Sequence, residues 1–139
     1  MKIAFDAGEV LKNNGMGVYA RGLVTALALL FPEDRFCLVT NPKDAPALKS
    51  KFSSINNIII EDKLLHPHKF GKPLKELVKI INSARWKKIA PGYDLVHQAN
   101  QFRTIKGIDN LTATVHDLIP LYDDGMNSSA IKKNYRKKI

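Results

Sequence analysis

Five short apolar runs, each parted from the next by helical periodicity, constrain this 139-residue chain more than any single residue does. They are Lys2-Ile3-Ala4-Phe5-Asp6, Phe36-Cys37-Leu38-Val39-Thr40, Asn57-Ile58-Ile59-Ile60, Asp94-Leu95-Val96-His97 and Thr112-Ala-Thr-Val-His116. Runs this short, rich in β-branched and aromatic residues, predict strands. The segments between them carry a different period. From Met16 to Phe31, Leu23, Ala26, Leu27 and Leu30 recur at helical spacing, and Pro32 ends the pattern. A short helix is expected over Ala45–Phe52. A longer one is expected over Pro73–Lys87, with proline in its first turn and Leu74, Leu77, Val78 and Ile81 on one face. Ser128–Ile139 predicts a last helix. Alternating strands and helices of this kind predict an α/β fold, a Rossmann-like doubly wound parallel sheet. Right-handed crossovers order its strands 3-2-1-4-5, with the reversal between the first and the fourth.

Composition narrows the class. At 45% hydrophobic and 25% charged residues the chain is an ordinary globular one, and no apolar run approaches the roughly 20 residues of a membrane span. Cys37, the only cysteine, lies inside a strand-like run, which excludes an intrachain disulfide and fits a reduced cytosolic compartment. The net charge of +9 concentrates in Arg85-Trp86-Lys87-Lys88 and in Lys132-Lys133-Asn-Tyr-Arg136-Lys137-Lys138. Such patches are most often solvated helix faces. They also allow peripheral contact with an anionic membrane, whereas nucleic-acid binding would rest on charge alone. Trp86 within the first patch reads either as a base-stacking ring or, more simply, as a residue packed against the sheet.

In an open α/β sheet ligands gather where strands end and loops begin, at the reversal of strand order. Two loops should meet there: Gly15-Met16-Gly17 after the first strand, and His97-Gln98-Ala-Asn100 after the fourth. His116-Asp117 stands one strand away. Gly15-Met-Gly17-Val-Tyr-Ala20 matches the dinucleotide fingerprint literally. Yet about eight residues, Ala7–Asn14, separate it from its strand, and Thr40-Asn41-Pro42 replaces the acidic residue that would bind a ribose. Nicotinamide cofactors are therefore disfavoured. What survives is the capacity of glycines at a helix start to expose N–H groups to an anion. His97, Gln98 and Asn100 supply groups suited to polyols, and His116 can donate to a hydroxyl or a developing charge. His66 and His68 lack carboxylates or thiols at ligand spacing and read as loop residues, so no metal site is expected.

The order of these pieces resembles the N-terminal domain of GT-B type glycosyltransferases of the family 4 kind: an opening strand, a Gly-x-Gly-x-Tyr helix start, Asp94-Leu-Val-His97-Gln-Ala-Asn100, and Thr114-Val-His116-Asp117-Leu-Ile-Pro120. The resemblance runs from Met1 almost to the end. It implies a retaining transferase that moves a sugar from a nucleotide-sugar to a glycan, lipid or small-molecule acceptor without a metal or other cofactor. It places Gly15, Met16, Gly17 and Asp117 near the donor phosphate, His116 against the transferred sugar as the catalytic contact, and His97, Gln98 and Asn100 on the acceptor side. Val18 departs from the basic residue common in relatives. The larger departure is length. Relatives grip the donor with a second domain, and nothing here corresponds to it. Residues 1–139 are thus expected to form an acceptor-side domain that is a fragment, a truncated form or one half of a split enzyme, inactive alone and prone to self-association, cytoplasmic or peripheral at the inner membrane face. The alternative is a non-catalytic Rossmann-like module that binds a nucleotide, a polyanion or a protein partner.

Overall fold

The computed structural model describes residues 1–65, 72–100, 105 and 107–116. His66, His68, Asp117 and the basic segment 132–138 lie outside the described residues. The elements, in order, are β1 (Lys2–Asp6), α1 (Gly15–Leu30), β2 (Arg35–Val39), α2 (Ala45–Lys51), β3 (Ile58–Glu61), α3 (Lys72–Ile89), β4 (Leu95–Gln98) and β5 (Leu111–Ala113). Single 3₁₀ turns cover Ala7–Glu9 and Ala90–Gly92. All four strand pairings are parallel and the sheet runs β3-β2-β1-β4-β5. This is the expected α/β, Rossmann-like arrangement.

The inner strands β1 and β2 are buried on both faces, as parallel strands between helices must be, while the edge strands β3 and β5 are partly exposed. Successive side chains point to opposite faces, so β1 and β2 feed two cores. Ile3, Phe5, Phe36 and Leu38 pack with Ala20, Val24 and Ala28 of α1 and with Leu48 and Phe52 around α2. Ala4, Cys37 and Val39 pack with Trp86, Ala90, Tyr93 and Val96 on the α3 side. Trp86 is buried in that second core, so of its two readings packing holds. Arg85 beside it donates to the carbonyl of Lys63 at 2.8 Å. On the same side, the Tyr93 hydroxyl donates to Glu61 at 2.5 Å, Lys63 sits 2.8 Å from Glu61, and the Lys2 ammonium lies over the Tyr93 ring. Burial pushes the Glu61 carboxyl up, but Lys63 and the Tyr93 hydroxyl outweigh it and hold the group below its ordinary value.

Two helix faces differ from expectation. On α1 the face against the sheet is Gly17, Ala20, Val24 and Ala28, while Ala26 and Leu30 face solvent and Leu23 and Leu27 only flank the core. Small side chains win the central positions because they let the helix axis come close to the strands, and the larger leucines wrap the sides. On α3, Leu74 and Leu77 are exposed. The buried line instead passes through Val78 and Trp86, with Asn82 between them exchanging two hydrogen bonds with the backbone of Leu65 (2.7 and 2.9 Å). The large indole fixes the rotation of the helix.

The fifth strand is also shorter than expected. It ends at Ala113 rather than His116, because the ladder on β4 stops at Gln98 and only one further bond, from the Thr114 N–H to the Gln98 carbonyl (2.9 Å), continues it. His116 therefore stands beyond the sheet, in the chain that leaves its carboxyl end.

Candidate functional site

The site begins with how β1 hands the chain to α1. Asp6 accepts from the Gly8 N–H at 3.0 Å and opens the 3₁₀ turn, after which Val10 drops into the core. Arg21, from the second turn of α1, donates to the carbonyls of Val10 and Lys12, both at 2.8 Å, and ties the loop to the helix. Asn14 is the N-cap, its side chain accepting from the Gly17 N–H at 2.9 Å. The loop presses so closely on the helix that a Cβ on Gly17 would lie 2.0 Å from the Lys12 carbonyl oxygen. Gly17 is thus a packing requirement, and its N–H is occupied by the cap. Gly15 differs: a Cβ there meets nothing within 4 Å. Gly15 and the partly buried Met16 sit at the helix start, where N–H groups have no intrahelical acceptor.

The register explains the other half of the site. Phe5, His97 and Thr112 are paired across β1, β4 and β5 and so share a face with Thr114, two residues on. This is the face that α1 covers. It is apolar over β1 and β2 and turns polar over β4 and β5. The His97 ring lies 5.0 Å from that of Phe5. Its Nδ1 is 3.0 Å from Thr112 Oγ1 and its Nε2 3.2 Å from Thr114 Oγ1. From α1, the Tyr19 hydroxyl reaches Thr114 Oγ1 at 3.1 Å. The Tyr19 ring also meets His116 edge-on at 4.9 Å, and His116 Nε2 donates to the Ala99 carbonyl at 2.7 Å. That carbonyl can only accept, so it fixes a proton on Nε2.

The structure therefore brings the glycine helix start and His116 together through Tyr19, and sets His97 behind them. Gln98 and Asn100 differ from the expectation that they offer amides to a ligand. Both are buried. Gln98 bonds the Asn100 carbonyl (2.5 Å) and the Ile105 N–H (3.2 Å), while Asn100 donates to Glu9 (3.2 Å), which also receives Lys12 (2.8 Å). These amides brace the loops from within. Among the described residues no cluster of three or more His, Cys, Asp or Glu is placed to hold a metal ion, and no helix is long and apolar enough to cross a membrane. The contacts of Tyr19, Thr112, Thr114, Arg21 and Glu9 go beyond what residue type and position in the sequence indicate. The alternation Thr112-x-Thr114 on a strand beside His97 was the available signal, and it became meaningful only with the register.

Burial lowers the pKa of His97 from its ordinary 6.5, which gives a pH prediction. The unfolded chain takes up a proton near pH 6.5 and the folded chain only at a lower pH, so the unfolded state binds more protons in that window. Stability should be intact above pH 6.5 and should fall as pH drops from there through the folded value. Thermal unfolding followed from pH 7.5 to pH 5 checks this. The slope should shrink in His97→Gln, and a wild-type profile that stays flat would mean that the imidazole is solvated.

The chain was compared with protein-family models, curated proteins and solved structures, and none matches.

Proposed function

We propose that the edge formed by the start of α1 and the carboxyl ends of β4 and β5 is the half-site of a retaining glycosyltransferase that moves a sugar from a nucleotide-sugar to an acceptor hydroxyl. The observation that carries the reading is the meeting of Tyr19 and His116 (4.9 Å between ring centres), which ties the glycine-bearing helix start to the segment after β5. Glycosyl transfer breaks the bond between the anomeric carbon and the diphosphate oxygen, whose electron pair leaves with the diphosphate. The acceptor oxygen bonds to that carbon and gives up its proton. Catalysis of this kind is positioning together with stabilisation of the leaving charge. The N–H groups of Gly15 and Met16, at the positive end of α1, suit the diphosphate. Close packing at Gly17 and the Asn14 cap fix the loop against the helix start. His116, fixed by the Ala99 carbonyl and the Tyr19 ring, suits a hydrogen bond to the sugar. His97 acts behind them, and Asp117 follows in the chain. The role needs no metal from these residues.

The test is titration of the chain with UDP-glucose, GDP-mannose and inorganic phosphate at two salt concentrations. A half-site should bind them on the order of millimolar, about 4 kcal/mol, with no sugar transfer by residues 1–139 alone. Gly15→Ala should weaken binding while leaving the fold intact, since its Cβ meets only open space. Micromolar binding independent of Gly15 would favour a self-sufficient binding module. Tight binding of a polyanion that collapses with salt would favour a charge-driven one.

A further inference from the structure

The hydrogen bonds around His97 have a direction, and one carbonyl sets it. Thr112 Oγ1 lies 3.3 Å from the Val96 carbonyl and 3.0 Å from His97 Nδ1. The carbonyl only accepts, so the threonine hydrogen goes to it, and both contacts are satisfied only if Nδ1 carries a hydrogen and donates to Thr112. In a neutral ring Nε2 is then an acceptor, and Thr114, 3.2 Å away, must donate to it. With its own hydrogen spent, Thr114 Oγ1 receives one from the Tyr19 hydroxyl at 3.1 Å. The chain thus runs Tyr19 to Thr114 to His97 to Thr112 to the Val96 carbonyl, every hydroxyl hydrogen pointing inward. The ring faces Phe5 from β1, Thr112 and Thr114 from β5 and, through Thr114, Tyr19 from α1. Tyr19 is the titratable group among these, with His116 beside it, so no carboxylate among these contacts favours a charged imidazole.

We propose that Tyr19 is a specificity residue whose phenolic oxygen, its hydrogen committed to Thr114, serves as an acceptor for a ligand hydroxyl and thereby selects a polyol over an anion at the position beside His116. The proposal rests on the reading of this edge as a sugar site and names the group it recognises there. Tyr19 is partly exposed, 39% of its surface open, so the oxygen is within reach of a ligand. A fully ionised anion such as sulfate offers no hydrogen to it and meets only lone pairs, whereas a sugar hydroxyl donates. A phosphate belongs instead at the Gly15 and Met16 N–H groups, one turn away along α1.

Two measurements on the 139-residue chain test this. Nitrogen-15 NMR at pH 7.5 should find His97 in the tautomer protonated at Nδ1, and a proton on Nε2 would reverse the chain and overturn the proposal. Titrations with methyl α-glucoside and with sulfate, an anion that carries no hydrogen at this pH, should then separate. Tyr19→Phe should weaken the glucoside roughly three- to tenfold, the scale of one neutral hydrogen bond, and leave sulfate within about twofold. Thr114→Val, which returns the phenolic hydrogen to Tyr19, should shift the preference toward sulfate. Equal loss for both probes in Tyr19→Phe, or no measurable glucoside binding by the wild type, would overturn the proposal. Neither measurement uses a nucleotide or turnover, so a failure of nucleotide-sugar binding counts against the transferase reading and leaves the hydrogen-bond direction to be judged on the tautomer.

Discussion

Replacing Gly17 by alanine is expected to destabilise the protein by about 3 kcal/mol or more, at the upper end of the overpacking range. The added Cβ would lie 2.0 Å from the Lys12 carbonyl oxygen, 2.8 Å from its carbon and 3.0 Å from the Glu9 carbonyl oxygen. All three are backbone atoms, so no side chain can swing aside. The loop is also pinned, by Arg21 on the Val10 and Lys12 carbonyls and by Asn14 on the helix start. The thermal midpoint should drop on the order of 10 °C. Gly15→Ala is the internal control. It changes the same residue type two positions away, meets open space, and should leave the midpoint within a degree or two. Equal stability of the two variants would mean that the loop relaxes at little cost and that Gly17 is not a packing requirement.

On the transferase reading, His116→Ala should lower sugar transfer by roughly a hundredfold, the scale for removing one preorganised polar contact to a reacting group, measured as kcat/KM with a donor-binding domain present. The fold should survive. His116 is exposed, and the bond to the Ala99 carbonyl and the ring contact with Tyr19 that the variant gives up are each worth about 1 kcal/mol. Circular dichroism and the unfolding midpoint should accordingly move little. A variant that turns over normally, or one that does not fold, would make His116 a structural residue and remove the main support for the transferase reading.

The fold was legible because it is written in a redundant code. The centres of Lys2–Asp6 and Arg35–Val39 are apolar on both faces, as strands under two helix layers need be, and crossover handedness leaves the strand order little choice. Faces were harder. Periodicity locates an apolar stripe without saying how close the helix sits to the sheet, and leucines drew attention from the smaller Ala20, Val24 and Ala28. The site was legible in part. Gly15, Gly17, His97 and His116 could be singled out by residue type and position. That Gln98 and Asn100 turn inward could not be, because an amide looks the same in a sequence whether it faces a ligand or a backbone carbonyl. Nor could Thr112 and Thr114, whose importance depends on which strand of which neighbour lies opposite.

The two cores differ in how far along the chain their members lie. On the α1–α2 side the buried residues come from Ile3–Phe52, with Ala99 the single late arrival, whereas the α3 side draws on residues from Ala4 to Ile105. Pairing β1 with β2 joins Ile3 to Phe36; pairing β1 with β4 joins Ile3 to Leu95. The longer closure costs about 1 kcal/mol more chain entropy and cannot be repaid until α3 and β4 dock. Tyr19 follows β1 closely in the chain, whereas His97 reaches the same face only through β4, with His116 farther still. The candidate site is therefore a seam between segments near β1 in sequence and segments far from it. Any opening that lifts β4 from β1 would draw Leu95 and Ala99 out of the α1–α2 core, so the candidate site and that core are coupled through β4.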